Sequence, residues 1–201
     1  VIHLHEPLSP GPNHTALLTR PAPLIGTFHA AGGSLAYDMM PRATRFLAGR
    51  LDDRCAVSED AKKMAQEALG GQYDLTFNGV ELARFASGTP HPTTGPTIFF
   101  LGRHEPRKGL RVLLDAMSQL PTDTRLWVAG EGQETTELMA ENAGDRRIEW
   151  LGTISESEKI ARLRGADVFC APSVGGESFG IVLLEAMAAC TAVVAGVITG
   201  Y

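Results

Sequence analysis

The sequence has few cysteines, no long apolar run and no excess of positive charge. Its three cysteines, Cys55, Cys170 and Cys190, lie far apart, and no pair has the spacing of a metal site or a redox motif. We therefore expect reduced, buried thiols in a cytoplasmic protein. No apolar run approaches the roughly 20 residues that span a bilayer, and we expect no signal peptide. The net charge of -5 disfavours a general nucleic-acid-binding protein.

Familiar cofactor motifs are also missing from the sequence. No Gly-x-Gly-x-x-Gly run occurs, which gives a dinucleotide-dependent dehydrogenase little support. Residues 102–109 (GRHEPRKG) have glycine and lysine at the interval of a Walker loop, but Arg107 replaces the second glycine and no hydroxyl residue follows Lys108. Because the sequence also has no Asp-x-Asp pair, we expect neither a required cofactor nor an essential protein-bound metal ion.

What the sequence does contain is an alternation of short apolar runs with amphipathic runs. Strands that alternate with helices predict parallel sheets with right-handed crossovers, so we expect an α/β protein with two doubly wound domains. Residues 86–96 are rich in Pro, Gly, Ser and Thr and predict a linker, which divides the chain into domains at 1–88 and 89–201. The chain begins inside a strand without Met, and we expect an internal fragment with both domains incomplete.

The predicted elements follow from this alternation. In the first domain, strands are expected at 1–4, 22–28, 54–57 and 73–77, and helices at 35–50 and 58–69, the second one capped by Ser58. In the second domain, strands are expected at 97–101, 125–129, 148–151, 168–171 and 191–195, and helices at 107–120, 134–142, 156–164 and 178–189. Ligands of such folds bind beyond the carboxyl ends of the strands.

One candidate site is the strand-to-helix connection from Arg103 to Lys108, which we call the arginine turn. Arg103, Arg107 and Lys108 place three positive charges there, where a helix beginning at Arg107 presents backbone N–H groups. Cations are disfavoured at a helix N-terminus unless an anion binds, so we favour a diphosphate site over solvated surface charge.

The second candidate site is the glycine-rich entrance to an apolar helix, residues 175–189 (GGESFGIVLLEAMAA). A carboxylate in so apolar a helix is costly unless it is paired, and both Glu177 and Glu185 occur here. A straight helix separates them by about 12 Å, which suits the two ends of an elongated ligand rather than an acid/base pair. The structural alternatives are a helix-terminal carboxylate for Glu177 and an arginine-paired carboxylate for Glu185.

Together, the motifs GRHEPRKG, VAGEG, WLG, ADVFCAPS and GGESFGIVLLEAMAA resemble the large family four of retaining glycosyltransferases, and the resemblance covers the whole chain. It implies the GT-B fold, in which two Rossmann-like domains take the acceptor and the donor. The shorter motifs HEP, TFH, AVS, NGV and EPRKG are similar to actinobacterial phosphatidylinositol mannosyltransferases.

The resemblance implies a role for each matching residue in binding a nucleoside-diphosphate sugar. Arg103 and Lys108, with Arg107 beside them, bind the diphosphate. Glu177 contacts the donor sugar and Glu185 the ribose. His29 faces the reaction centre and binds the sugar or orients the acceptor. The remaining implied donor-binding residues are Ile154, Glu156 and Lys159 at the base, which suggests guanine, and Ser178, Phe179, Gly180 and Ile181 at the entrance to the helix.

The implied reaction transfers a hexose, mannose from GDP-mannose in the mannosyltransferases, with retention of configuration. No carboxylate pair with the spacing of a retaining glycosidase is found, so a front-face displacement assisted by the leaving phosphate fits better. The implied partners are the donor and a lipid or small-molecule hydroxyl acceptor. A basic face made by Arg42, Arg45 and Arg50, with Met39, Phe46 and Leu47, allows peripheral contact with the inner membrane surface, although an ordinary surface helix is the favoured interpretation.

Four departures from the family pattern leave alternatives open. The family's N-terminal glycine-rich loop and the C-terminal segment that packs back onto the first domain are absent. No lysine follows HAAGGS, where the mannosyltransferases use one to recognise the acceptor, so another lipid, a thiol precursor sugar or a polysaccharide remains an alternative acceptor. Cys190 stands where relatives have glycine. A non-catalytic nucleotide-sugar-binding module is the alternative to an enzyme.

Overall fold

The computed structural model describes residues 1–30 and 40–201. The chain divides into two compact units. The first contains residues 1–78, 176–179 and 200, and the second contains residues 79–175, 180–199 and 201. Each unit is built on its own parallel β-sheet, which confirms the predicted α/β class.

The first unit carries a four-stranded sheet in the order β1-β2-β3-β4, with all neighbouring strands parallel. Its core packs the large buried side chains Leu17, Leu24, Phe28 and Tyr73. In chain order the elements are β1 (Ile2–His5), α1 (Pro12–Thr19), β2 (Leu24–Phe28), α2 (Pro41–Ala48), β3 (Asp53–Ala56), α3 (Glu59–Leu69) and β4 (Asp74–Leu75).

Local sequence signals account for where two helices of the first unit begin. The Ser58 hydroxyl accepts a hydrogen bond from the Ala61 N–H at 3.1 Å, so the predicted cap of α3 is confirmed. In its described part, α2 begins at Pro41, whose fixed φ suits the first helical position. The predicted start at Leu35, together with Met39, lies outside the described residues.

Two elements of the first unit differ from the prediction. Helix α1 was missed because it buries only Leu17 and therefore has no strong apolar periodicity. The fourth strand was predicted at 73–77 but keeps only Asp74 and Leu75, since it is an edge strand that pairs with β3 alone.

The second unit carries a five-stranded parallel sheet in the order β7-β6-β5-β8-β9. Successive residues of β5 point to opposite faces: Phe99 joins one apolar cluster and Phe100 the other, so the sheet is buried on both sides. In chain order the elements are α4 (Leu82–Ala86), β5 (Thr97–Leu101), α5 (Leu110–Ala116), β6 (Arg125–Ala129), α6 (Thr135–Glu141), β7 (Ile148–Gly152), α7 (Glu156–Gly165), β8 (Val168–Ala171), α8 (Ile181–Ala188) and β9 (Ala192–Ala195).

The division between the units falls after residue 78, ten residues before the predicted boundary at 88. The reason is the short helix α4, which was not predicted and whose Phe85 is buried in the core of the second unit. Residues 87–96 contain neither helix nor strand, and the His91 N–H donates to the Ala161 carbonyl at 2.8 Å. This segment therefore lies along the second unit.

The expectation that all three cysteines are buried is wrong for Cys190. Cys170 is buried, and its burial raises the pKa of the thiol to about 11, whereas Cys190 is exposed and Cys55 is partly buried. Cys190 follows the last turn of α8 at the surface. Among the helices of the described residues, none is long and apolar enough to cross a membrane.

Candidate functional site

The arginine turn follows the carboxyl end of β5, but it is not the first turn of a helix, as had been predicted for 107–120. Pro106–Lys108 form a separate 3-10 turn, and Gly109 adopts a left-handed φ of 67° before α5 starts at Leu110. A Cβ on Gly109 would lie 2.0 Å from the Pro172 carbonyl oxygen, so only glycine permits this close approach. Arg107 and Lys108 therefore precede the helix, and attraction for an anion comes from the side-chain charges.

Glu105 organises the cations of this turn. One of its carboxylate oxygens lies 2.8 Å from Arg103 Nη1, and the other accepts from Arg107 Nε at 2.9 Å. The Arg103 side chain is nevertheless 67% exposed. Three cations within six residues of a solvent-accessible loop still favour a multiply charged anion.

His104 anchors the turn to the sheet. Its ring is buried between Phe100 and Trp150, and its Nδ1 lies 2.8 Å from the Thr135 hydroxyl. Burial lowers the pKa of His104 below its ordinary value, and hydrogen bonding with the Ala129 backbone opposes this shift. Because the His104 ring is held inside the core, the ion pair between its neighbours Arg103 and Glu105 lies outside the core.

The entrance to α8 differs from its predicted form. The helix begins at Ile181 rather than Ser178, and its N-cap is Gly180 in a left-handed conformation with φ 67°. No side-chain hydrogen bond caps the helix, and Ser178 precedes its first residue. A Cβ on Gly180 would lie 2.5 Å from the Tyr201 ring, which explains why a residue without a side chain makes this turn.

Glu185 is nearly buried on α8 and is paired with a lysine. The alternative prediction for this residue, a pair with an arginine, had the wrong partner. Lys159 Nζ donates to Glu185 Oε1 at 2.7 Å and lies 3.0 Å from Glu156 Oε1. The side chains of Lys159 and Glu185 are only 14% and 12% exposed. We call Glu156, Lys159 and Glu185 the lysine cluster. Ile154 packs against the apolar cluster that also contains Leu183 and Ala186 of α8. Of the predicted base and ribose site, Glu156, Lys159 and Glu185 are in contact with one another.

Glu177 does not lie on α8 with Glu185. Residues 176–179 group with the first unit, where Phe179 packs on the cluster of Ala56, Val57 and Ala61. The separation of 12 Å predicted from a continuous helix is therefore not supported, because Gly180 interrupts the helical path. Which part of a donor Glu177 contacts stays a prediction.

In the first unit, three histidines form a ladder on β1 and the end of β2. The ring centres of His3 and His5 are 4.5 Å apart, and His5 Nδ1 lies 2.8 Å from His29 Nε2. One ring nitrogen of His29 is therefore already occupied. Burial lowers the pKa of His29, as do His5 and His3, whereas the Glu6 carboxylate raises it.

Glu6 holds the backbone at the end of β2. Its Oε1 accepts from the N–H groups of His29 at 2.6 Å and Ala30 at 2.5 Å, and Glu6 itself has a left-handed φ of 48°. No role was predicted for Glu6 or Glu105. The available signal was the position of each residue. Glu6 lies one residue past β1, which belongs to a parallel pair of strands, and Glu105 lies midway between Arg103 and Arg107.

The predicted basic face of α2 is largely used within the first unit. Arg45 Nε donates to the Ala68 carbonyl at 2.9 Å, and Arg50 donates to the carbonyls of Leu17 and Leu18. Leu47 packs against the core of the first unit. Among the described apolar residues of this face, Phe46 is therefore the exposed one, with 60% of its surface accessible. These contacts favour the ordinary surface helix over a membrane-binding face.

Comparison with known proteins identifies the class to which these features belong. The chain resembles solved glycosyltransferase structures: an Anabaena protein, HepE, in complex with UDP and glucose matches with a TM-score of 0.74 and 20% identity over 93% of this chain and 56% of that one. Sucrose-phosphate synthase from Thermosynechococcus elongatus gives a TM-score of 0.74 and 23% identity over 99% and 56%. At this identity the likeness concerns the fold, and it confirms the GT-B expectation.

The family follows from sequence similarity. Residues 84–201 match the model for group 1 glycosyl transferases, and the chain belongs to this family. It is 41% identical to the phosphatidyl-myo-inositol mannosyltransferase of Mycolicibacterium smegmatis over 97% of this chain and 53% of that protein. The Propionibacterium freudenreichii enzyme of the same name is 36% identical over 97% and 51%. The chain thus spans about half the length of the curated relatives it matches.

Proposed function

We propose that the full-length protein is a retaining hexosyltransferase that moves mannose from GDP-mannose to a hydroxyl group of phosphatidylinositol. The observation that carries this proposal is the 41% identity to a phosphatidyl-myo-inositol mannosyltransferase across nearly the whole chain. In the second unit, the arginine turn and the lysine cluster take the nucleoside diphosphate of the donor. The first unit takes the acceptor.

In this proposal Arg103, Arg107 and Lys108 bind the donor diphosphate. Their positive charges complement a diphosphate, and the exposed Arg103 is accessible to it. As the glycosidic bond breaks, negative charge grows on the departing nucleoside diphosphate. Preorganised cations at that point stabilise the transition state more than the ground state, which is how they accelerate transfer without a protein-bound metal.

The lysine cluster holds the nucleoside. Glu185 accepts hydrogen bonds from ribose hydroxyls, and its ion pair with Lys159 fixes the carboxylate and offsets its burial. Ile154 and Glu156, at the start of α7, contact the base. The sugar is held by Glu177 and by the backbone of Phe179 and Gly180, with Ser178 and Ile181 on either side of them.

His29 binds the sugar or orients the acceptor hydroxyl. Its hydrogen bond with His5 leaves Nδ1 as the ring nitrogen for a ligand, and the two Glu6 contacts fix the backbone that carries the ring. The acceptor proton passes to the leaving phosphate in a front-face displacement, so no side-chain nucleophile is required. Peripheral contact with the inner membrane surface would give the enzyme access to a lipid acceptor.

The test is radiolabelled sugar transfer by the full-length gene product, using GDP-mannose, UDP-glucose and UDP-N-acetylglucosamine against phosphatidylinositol in mixed micelles. We expect mannose from GDP-mannose to enter the lipid fraction with an α-anomeric linkage by NMR, with or without EDTA. Transfer from a different nucleotide sugar, or to a different acceptor only, would replace the specific proposal with another group 1 activity. Nucleoside-diphosphate binding without transfer to any acceptor would show a non-catalytic binding module.

A further inference from the structure

A cavity lies at the amino edge of the second unit's sheet, away from the arginine turn. It has a volume of about 190 Å³ and is bounded by residues 91–94 of the connecting segment and by the first residues of β5 and β6. Arg125, Arg146 and Arg147 line it, together with one carboxylate, Glu149. Since a water molecule takes about 30 Å³, this space holds a phosphate group and part of the molecule attached to it.

Two of the lining charges are already paired with neighbours. Arg147 is bound to Asp145, with Nη2 to Oδ2 at 2.7 Å and Nε to Oδ1 at 2.9 Å. Glu149 lies 3.2 Å from the Arg162 guanidinium, which also donates to Glu158 at 2.7 Å. Glu149 therefore keeps part of its negative charge, and the net positive charge of the cavity comes from Arg125 and Arg146.

Arg125 and Arg146 are not neutralised in this way. Within residues 1–30 and 40–201, neither guanidinium makes an ion pair or a hydrogen bond, and Nε of Arg125 is buried without a partner. A buried charged donor without an acceptor is costly, and this applies to Arg125, whereas Arg146 is exposed. Arginine is the side chain that best matches the oxygens of a phosphate. Thr93 and Thr94 also line the cavity.

We propose that this amino-edge cavity is a second anion site that binds a small phosphate monoester. A monoester carries a charge of about -1.5 to -2 at neutral pH, which matches the two unpaired arginines. Pro92 and Trp127 also line the cavity. Free inorganic phosphate shares the phosphoryl dianion with an esterified phosphate, and this dianion is the chemistry that the cavity would recognise.

The site is separate from the proposed donor site. Arg125 begins β6, whereas the arginine turn follows the end of β5, and the five residues of β5 span about 13 Å. Variants at one site can therefore leave the other unchanged, and the proposal does not depend on the transferase activity.

Calorimetric titration of the full-length gene product with inorganic phosphate, glycerol 3-phosphate and succinate tests the proposal. We expect saturable binding of at least one phosphate compound that weakens by at least about tenfold in the double variant Arg125→Gln/Arg146→Gln. Arg103→Gln should leave this binding unchanged. The charge-matched control Lys63→Gln/Arg111→Gln removes the same two charges at the surface and should also bind normally.

Several results would overturn the proposal. These are no saturable phosphate binding to the wild-type protein, equal binding to the double variant, or an equal loss in the charge-matched control. Succinate binding as tight as that of phosphate would refute the assignment to phosphate. If the double variant does not fold, phenylglyoxal labelling of the wild-type protein decides: phosphate should protect Arg125 and Arg146 but not Arg111, and absence of that protection would refute the site.

Discussion

Lys159 donates a hydrogen bond to Glu185 across 2.7 Å, between two helices of the second unit, while Glu156 lies 3.0 Å from the same ammonium group. Lys159 is therefore shared by two carboxylates, and it is the residue on which the charge balance of the lysine cluster depends. Glu185, at the far end of the 177–185 stretch, is thus bound within the fold.

The first prediction concerns the asymmetry of this cluster. Lys159→Met should lower the free energy of unfolding by about 2 kcal/mol, because it leaves the nearly buried Glu185 unpaired. Glu185→Gln should cost less, since Lys159 keeps Glu156. Urea unfolding measures both. Equal losses of unfolding free energy in the two variants would show that the contact with Glu156 does not stabilise Lys159 once Glu185 is neutral. Recovery of stability in Lys159→Met/Glu185→Leu would show that the loss in Lys159→Met comes from the unpaired charge of Glu185.

The second prediction concerns the arginine turn. Lys108→Ala in the full-length gene product should weaken binding of GDP by about tenfold, because one charge-assisted hydrogen bond to the diphosphate is lost. Lys63→Ala on α3 removes the same charge elsewhere and serves as the control. Isothermal titration calorimetry gives both affinities. Unchanged affinity in Lys108→Ala would refute the diphosphate role.

A third prediction separates sugar binding from nucleotide binding. Glu177→Ala should reduce the rate of transfer much more than the affinity for plain GDP, because GDP carries no sugar for the carboxylate to contact. Glu185→Ala, by contrast, should weaken GDP binding through the ribose. Steady-state kinetics and calorimetry of both variants measure the rate of transfer and the affinity for GDP. Equal losses of transfer and GDP affinity in Glu177→Ala would mean that Glu177 reads the nucleotide.

The fourth prediction is the titration of His29. Its pKa should lie below the ordinary value of 6.5, chiefly because of burial. His5→Phe removes an interaction that lowers this pKa and should therefore raise it, whereas Glu6→Gln removes a negative charge and should lower it further. Histidine ring protons followed by NMR report both shifts. Shifts of the same sign in the two variants would contradict the electrostatic assignment.

Because the folded pKa of His29 is depressed, its protonation also affects stability. The unfolded chain binds the proton more readily, so the contribution of His29 is complete above the unfolded pKa near 6.5 and is lost as pH falls through the folded pKa. Unfolding experiments between pH 7 and pH 5 should show stability declining, with the decline smaller in His29→Phe.

The fifth prediction concerns the end of α8. Cys190 has a left-handed φ of 62°, and the N–H groups of Cys190 and Thr191 donate to Met187 and Ala186 at 3.0 Å, which is the Schellman arrangement. Glycine is the residue suited to that conformation. Cys190→Gly should raise the free energy of unfolding by about 0.5–1 kcal/mol, after allowing for the greater entropy of unfolded glycine. Cys190→Ala keeps the Cβ and should give no gain in urea unfolding.

The sequence by itself determined the elements whose signals are local. Strands β5, β6 and β8 were predicted with their observed bounds, because each is a run of apolar residues buried on both faces of a parallel sheet. The cap of α3 by Ser58 was equally local, and the motifs around Arg103 and Glu185 were sufficient to indicate the glycosyltransferase family.

Only the tertiary structure decided which charges are paired and where two helices begin. Gly109 and Gly180 take left-handed conformations because a carbonyl oxygen and an aromatic ring from distant parts of the chain occupy the space of a Cβ, and such contacts are invisible to a periodicity argument. Likewise Lys159 meets Glu185 across 26 residues and His5 meets His29 across 24. The spacing of charged residues along a chain identifies candidates, but the packing of helices and strands determines their partners.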